Sequence, residues 1–377
     1  MQSVARLVWS SSQVSERLAV ALRTLAANGY SRLVEGTATY NALTFREVPL
    51  DNGQQVCRCL RKDDCFVIEY SSLSMALRGV GCALSGMTAD ERCSLDRLGY
   101  MRDCSRNNVA LPAHFKRWLA RTALMGYNYA ILYCENTFTL EGEPYFGYMR
   151  GAYTLEELKE MDDFATALGI ELIGHCEVLG HCEQFLKWRH FARLGDTPSI
   201  LLIDDPDVQV LLKKIISFWA KALRSRRLGI GMDEAHMMLR GAYLDKHGYT
   251  ADTLAVFNRH LAFVNDLCHE HGLSPMLYAD MYFTASGSRN QFSGDKIPQE
   301  IVATIPKGVE LVHWDYYNAD EAIYTKMLSR LKETGFPTVM MSGVWTWEGR
   351  LWYEQNRTMD CVVPAVAACR KCGSMLS

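Results

Sequence analysis

At 377 residues, with 49% hydrophobic and 22% charged side chains, the chain has an ordinary globular composition, long enough for one large domain and a smaller one. A formal net charge of −3 without a basic stripe argues against a nucleic-acid partner. The opening Met1-Gln-Ser-Val-Ala-Arg6 lacks the apolar core of a secretion signal, and no run approaches about 18 apolar residues, so neither export nor a membrane partner is expected.

Residues 1–95 read as a small α+β domain. Val4–Trp9, Gln55–Cys59 and Cys65–Tyr70 are strand-like, while Ser15–Ala27 and Ser72–Gly79 are helical. The polar stretch Met87–Arg92 suits a linker. From residue 96 to the end, strand-length apolar runs alternate with amphipathic helices. The strands expected are Leu98–Arg102, Tyr129–Tyr133, Glu171–Cys176, Arg227–Gly231, Met276–Asp280, Glu310–Asp315 and Thr338–Gly343. The helices are His114–Met125, Thr154–Leu168, Pro206–Leu223, Thr250–His271, Ala319–Thr334 and Met359–Cys372, with Thr154 and Glu157 spaced as a capping box. Seven such repeats predict an α/β fold, a TIM-type (β/α)8 barrel that lacks its eighth strand. Either the chain is a truncated product, which is the reading preferred, or an amino-terminal strand or a partner such as a second copy in a homodimer covers the open edge.

Thirteen cysteines, an odd number lying mostly inside apolar segments (Cys134, Cys176, Cys268), fit a reducing cytoplasm in which they pack as small hydrophobes. Cys57/Cys59 and Cys369/Cys372 are the metal-like spacings. Neither has a second pair, so no zinc is expected.

A parallel barrel gathers its chemistry at the C-terminal ends of its strands. Those ends carry Asp103 and Arg106, then Glu135 and Asn136, Glu177 and His181, Asp233 and Glu234, Asp280 and Tyr282, His313 and Asp315, and finally Trp345 and Trp347. Neighbouring side chains on a strand point to opposite faces, so Asp233 and Glu234 can share a substrate only where the strand gives way to a loop. By the same alternation Trp314 should face the helices. Carboxylates, aromatics and an arginine together suit a sugar: rings pack on pyranose faces and charged groups take hydroxyls. A paired acid and base is also what glycosidic cleavage needs.

Gly229-Ile-Gly-Met-Asp-Glu-Ala-His236 and Gly241-Ala-Tyr-Leu-Asp-Lys-His-Gly248 resemble the catalytic motif of glycoside hydrolase family 20, the β-N-acetylhexosaminidases, and most of all their intracellular, hexosaminidase D-like branch. Leu132–Thr137, Gly142–Gly151, Tyr278–Phe283 and Trp314–Tyr317 extend the likeness in the same order. The resemblance implies exo-acting, retaining hydrolysis of terminal β-linked N-acetylglucosamine or N-acetylgalactosamine, with the substrate's own 2-acetamido group as nucleophile and no metal or cofactor.

By the same resemblance Glu234 is the general acid and base. Asp233 holds the acetamido N–H, and His181 supports the acid. Arg106 grips ring hydroxyls, Asp315 binds the sugar, and Trp345 or Trp347 walls the acetamido pocket. Glu135, Asp280, Tyr282 and His313 complete the expected substrate-binding set. Glu234 should then be protonated at working pH, raised by burial and by its negative neighbour.

Asn136 stands where the family pattern has Asp, and His313 where it has Tyr. Those departures and the missing strand leave a catalytically weak sugar-binding relative as the alternative. A two-carboxylate glycosidase using Glu234 with Asp280 or Glu177 is a further rival.

Overall fold

The computed structural model describes residues 6–106, 108–287, 291–292, 295–346, 352–373 and 375–376. The chain divides into two compact units, residues 1–100, 110–130 and 159–172, and residues 101–109, 131–158 and 173–377.

In the first unit β1 (Leu7–Trp9) pairs in parallel with β2 (Leu33–Glu35). A four-stranded sheet runs in the order β3 (Leu43–Glu47), β5 (Cys65–Tyr70), β4 (Gln55–Lys62), β6 (Ala89–Cys93). The helix Leu73–Leu84, capped by the Ser72 hydroxyl on Met75 N–H, packs on β4 and β5. The stretch expected as a linker is therefore strand β6, antiparallel to β4. Its polar composition hid it. Its partners are charges, with Arg58 Nε 3.1 Å from Asp90 and Arg92 Nε 2.6 Å from Asp51. Such cross-strand ion pairs stabilise an edge that offers little apolar surface.

The larger sheet has the order β16-β15-β14-β13-β12-β9-β8-β7. Its strands are β7 (Gly99–Asp103), β8 (Tyr129–Tyr133), β9 (Glu171–His175), β12 (Arg227–Gly231), β13 (Ser274–Tyr278), β14 (Glu310–Trp314), β15 (Thr338–Met341) and β16 (Met375–Leu376). Between β9 and β12 lies a small antiparallel pair, β10 (Gly195–Thr197) with β11 (Ile200–Leu201). The capping box forms as expected: Glu157 N–H donates to Thr154 Oγ1 at 3.2 Å, and Thr154 N–H to Glu157 Oε2 at 2.9 Å.

The sheet is that of a TIM-type barrel with seven full strands. The tail after the last helix adds only Met375 and Leu376, which pair in parallel with Val339 and Met340. Among the described residues no pairing closes β16 onto β7.

The sheet curls. Tyr278 Oη lies 3.8 Å from Met101 Sδ on β7 and 3.6 Å from Met341 Sδ on β15, neither of which adjoins β13. These side chains therefore meet across the inner face. Aligned residues of a parallel ladder share a face, and Tyr278 aligns with Val312 while Met341 aligns with Trp314. Trp314 thus belongs to the inner face and His313 to the other, the reverse of the alternation expected from sequence.

Candidate active site

All the side chains brought together here belong to the second unit. The site is built around β12. A Cβ on Gly229 would lie 2.0 Å from the His175 ring, and one on Gly231 would lie 1.9 Å from the Glu177 carboxylate. These two glycines let β12 approach β9 closely. The register shifts between Gly229 and Gly231, a bulge that breaks the regular alternation. The chain then turns through left-handed backbone at Gly231 (φ +61°), Met232 (+68°) and Glu234 (+49°). Adjacent carboxylates consequently reach one imidazole. His181 Nε2 is 3.4 Å from Asp233 Oδ2 and 3.5 Å from Glu234 Oε2. His181 itself has φ +50°.

Two buried carboxyls grip this turn through its backbone. Met232 N–H donates to Glu177 Oε2 at 3.2 Å, and Glu234 N–H donates to Asp280 Oδ2 at 2.9 Å. Glu177 also accepts from Tyr133 Oη at 3.1 Å. On the other side Arg106 reaches Asp103 Oδ2 at 3.0 Å and Glu135 Oε1 at 3.7 Å, with its guanidinium 5.5 Å from the Tyr133 ring centre. Arg150, a residue sequence reasoning did not single out, places Nη2 3.9 Å from Glu135 Oε2. Tyr133 was missed as well, because it reads as the last apolar residue of a buried strand.

Electrostatics sort the carboxyls. Hydrogen bonds to Asp233 and Glu234 push His181 up to about 11. The same His181 bond holds Glu234 below the ordinary carboxylate value, ahead of a smaller opposing effect of burial. Sequence reasoning expected Glu234 to be raised. Its side chain is instead 49% exposed and sits beside an imidazolium. Burial, then the Asp233 charge, raises Glu177 well above the usual range and Asp280 to about 8. Burial also raises Glu135, against the pull of Arg106.

Several expected site residues are used elsewhere. Tyr282 is fully buried and donates to Asn258 Oδ1 at 2.8 Å, packing edge-on against Phe257, because the chain enters a helix at Asp280 instead of continuing the strand. Asp315 is fully buried. It accepts from the Tyr317 and Asn318 backbone N–H groups and from Asn318 Nδ2 (2.6 Å), so its oxygens organise the turn after β14. His313 lies on the outer face with both ring nitrogens buried and, among the described residues, lacking hydrogen-bond partners, and burial lowers it to about 3, a neutral imidazole. Trp345 is fully buried, donates from Nε1 to the Tyr316 carbonyl at 2.7 Å, and has the Arg357 guanidinium 3.4 Å from its ring centre. That guanidinium covers one face of the ring. Trp347 lies outside the described residues. Asn136 is 1% exposed and, among the described residues, neither of its side-chain polar atoms finds a hydrogen-bond partner.

Among the described residues His181, Asp233 and Glu234 form a trio whose donor atoms, all within 4.8 Å, could hold a metal ion. A cation would have to displace the strongly held His181 proton.

No family model matches the sequence, and no curated protein matches it. The fold is similar to solved structures. One is the GH20 exo-β-N-acetylglucosaminidase of Vibrio harveyi in complex with N-acetylglucosamine, with TM-score 0.65, 15% identity, and 90% of this chain and 58% of that one covered. Another is the GH20 β-N-acetylhexosaminidase of Streptomyces coelicolor A3(2), with TM-score 0.63, 15% identity, and 89% and 71% covered. A third is the Streptomyces plicatus N-acetyl-β-hexosaminidase in complex with Thio-NAglucal, with TM-score 0.63, 16% identity, and 90% and 70% covered. The chain thus spans little more than half the length of the Vibrio harveyi protein.

Proposed function

We propose that the chain is a family 20 glycoside hydrolase, an exo-acting retaining β-N-acetylhexosaminidase of the hexosaminidase D-like, cytoplasmic kind. The observation that carries the reading is the convergence of Asp233 and Glu234 on His181 at the end of β12. The motif resemblance and the family 20 fold likeness support it.

In this reading the acetamido oxygen of the bound sugar attacks the anomeric carbon. Asp233 takes the acetamido N–H and balances the growing positive charge. Glu234 protonates the departing oxygen and then, as carboxylate, takes a proton from the water that opens the oxazolinium ring. The low value of Glu234 is compatible with that role, because the acid is the Glu234–His181 pair. One proton shared by the pair survives neutral pH, as His181 stays charged up to about 11. The proton passes from His181 through Glu234 to the leaving oxygen, which leaves Glu234 a carboxylate beside a neutral imidazole, and the proton taken from water returns to the pair by the same route. Arg106 and Glu135, ion-paired at 3.7 Å, suit hydroxyls of the terminal sugar.

The test is turnover of aryl and alkyl β-N-acetylglucosaminides and galactosaminides beside Glu234→Gln. Loss of a general acid is expected to cost about 10²- to 10⁴-fold. The loss should be larger for the alkyl aglycone, which leaves poorly without a proton. A thiazoline analogue of the acetamido sugar should inhibit, since it mimics the cyclic intermediate. An active enzyme indifferent to it would favour the two-carboxylate route.

A second reading is favoured by Asp315 and Trp345, both committed to internal contacts, and by the uncharged Asn136. It is a sugar-binding relative without turnover. Such a protein would bind N-acetylglucosamine equally well with Glu234 or Gln and hydrolyse nothing.

A further inference from the structure

Among the described residues Glu234 makes a single ion pair, with His181, and its side chain is about half exposed. Its aim is therefore set by its backbone, which sits at φ +49°, a region that residues other than glycine seldom occupy. Something must hold it there. Asp280 is 5% exposed, the first residue of the helix Asp280–Ala285, and its Oδ2 accepts the Glu234 N–H at 2.9 Å. Its other oxygen, Oδ1, is closed off from solvent. A carboxyl used and shielded in this way does not offer itself to a sugar hydroxyl. Glu177 holds the Met232 N–H in the same manner from the opposite neighbouring strand, so the turn is pinned at alternate amides.

We infer that Asp280 is a positioning residue for the reaction, fixing the Glu234 amide so that the Glu234 carboxyl stays against His181. The inference rests on the general-acid reading of Glu234. Without the acceptor, the backbone at Glu234 can relax toward negative φ, carrying its carboxyl away from the imidazole while Arg106 and Glu135 stay in place. Catalysis should suffer and sugar binding should not.

The experiment compares the full chain with Asp280→Ala and Asp280→Asn, by steady-state kinetics on an aryl β-N-acetylhexosaminide and by hydrogen exchange of the amides in 229–236. For the Ala variant we expect kcat about 100-fold lower, the scale of a misplaced catalytic group, with KM little changed and faster exchange at Glu234. The Asn variant keeps a side-chain carbonyl that can accept the same bond, and should restore both. An Asn variant as impaired as Ala, a rise in KM with kcat intact, or unaltered exchange would each overturn the inference. If Ala does not fold, the Asn variant alone decides, since a role resting on the carboxylate charge is lost in it. Absence of turnover in the wild-type chain would instead sink the hydrolase reading. The exchange measurement would still report whether Asp280 holds the amide.

Discussion

At His181 two carboxylates compete for one imidazole, and the hydrogen bonds they make outweigh the cost of partial burial. Removing that ring should change two measurements in defined directions. In His181→Gln the Glu234 carboxyl loses the bond that depresses it and its value rises, but the proton that the imidazolium carried is gone. The proton needed by the leaving group must then sit on a carboxyl instead of an imidazolium, so the descending limb of the kcat/KM–pH profile should move to acid, and turnover at neutral pH should fall most. A descending limb that stays where the wild type has it would show that His181 does not carry the proton. The second measurement is stability. His181 is raised in the fold, so its contribution is fully present below about 6.5 and is lost as pH rises through about 11. The urea midpoints of wild type and His181→Gln should accordingly converge as pH increases across that window.

The turn after β12 shows what was legible at the level of elements and what was not. Both ends of β12 and β8 coincide with the runs read from sequence, because buried parallel strands are continuous apolar stretches. The clustering of Asp233, Glu234 and His181 was readable too, since residues at strand ends converge in a curled parallel sheet. The orientation of His313 and Trp314 was not. It depends on the register of β14 against β13 and β15, a long-range property that alternation within one strand does not contain. Tyr282 and Asp315 show a related limit: a strand end can start a helix or a tight turn, and polar groups there then pair with that local structure.

Gly231 gives this element its own test. Gly231→Ala must place a methyl group against Glu177 while keeping φ near +61°. The backbone conformation alone should cost about 1–3 kcal/mol, read from the urea midpoint, and the clash should add to it. In a Glu177→Ala background the clash is relieved, so the same substitution should cost less there. Equal costs in both backgrounds would mean that Gly231 is needed for its conformation alone.

For the molecule as a whole, the cysteines offer a test that does not depend on the site. Among the described residues no disulfide forms, and ten of the thirteen cysteines are buried, Cys65, Cys93 and Cys372 being partly exposed. Burial pushes the Cys57, Cys59, Cys268 and Cys369 thiols up to about 12 and raises Cys134, Cys176 and Cys182 well above the ordinary thiol value. The thiolate is the reactive form, so these side chains are shielded twice, by access and by protonation. Titration of the native chain with a disulfide reagent at neutral pH should consume about three equivalents promptly. In denaturant all thirteen should react, with the same count whether or not reductant was applied first. A lower count before reduction would reveal a bridge, and would contradict both the packing of these cysteines as small hydrophobes and the proposal of a reducing compartment. Prompt reaction of many more than three in the native state would show that the strands bearing Cys134 and Cys176 open readily. That outcome would locate weakness in the sheet that curls around the candidate site, the expected consequence of an edge at β7 that, among the described residues, β16 does not pair.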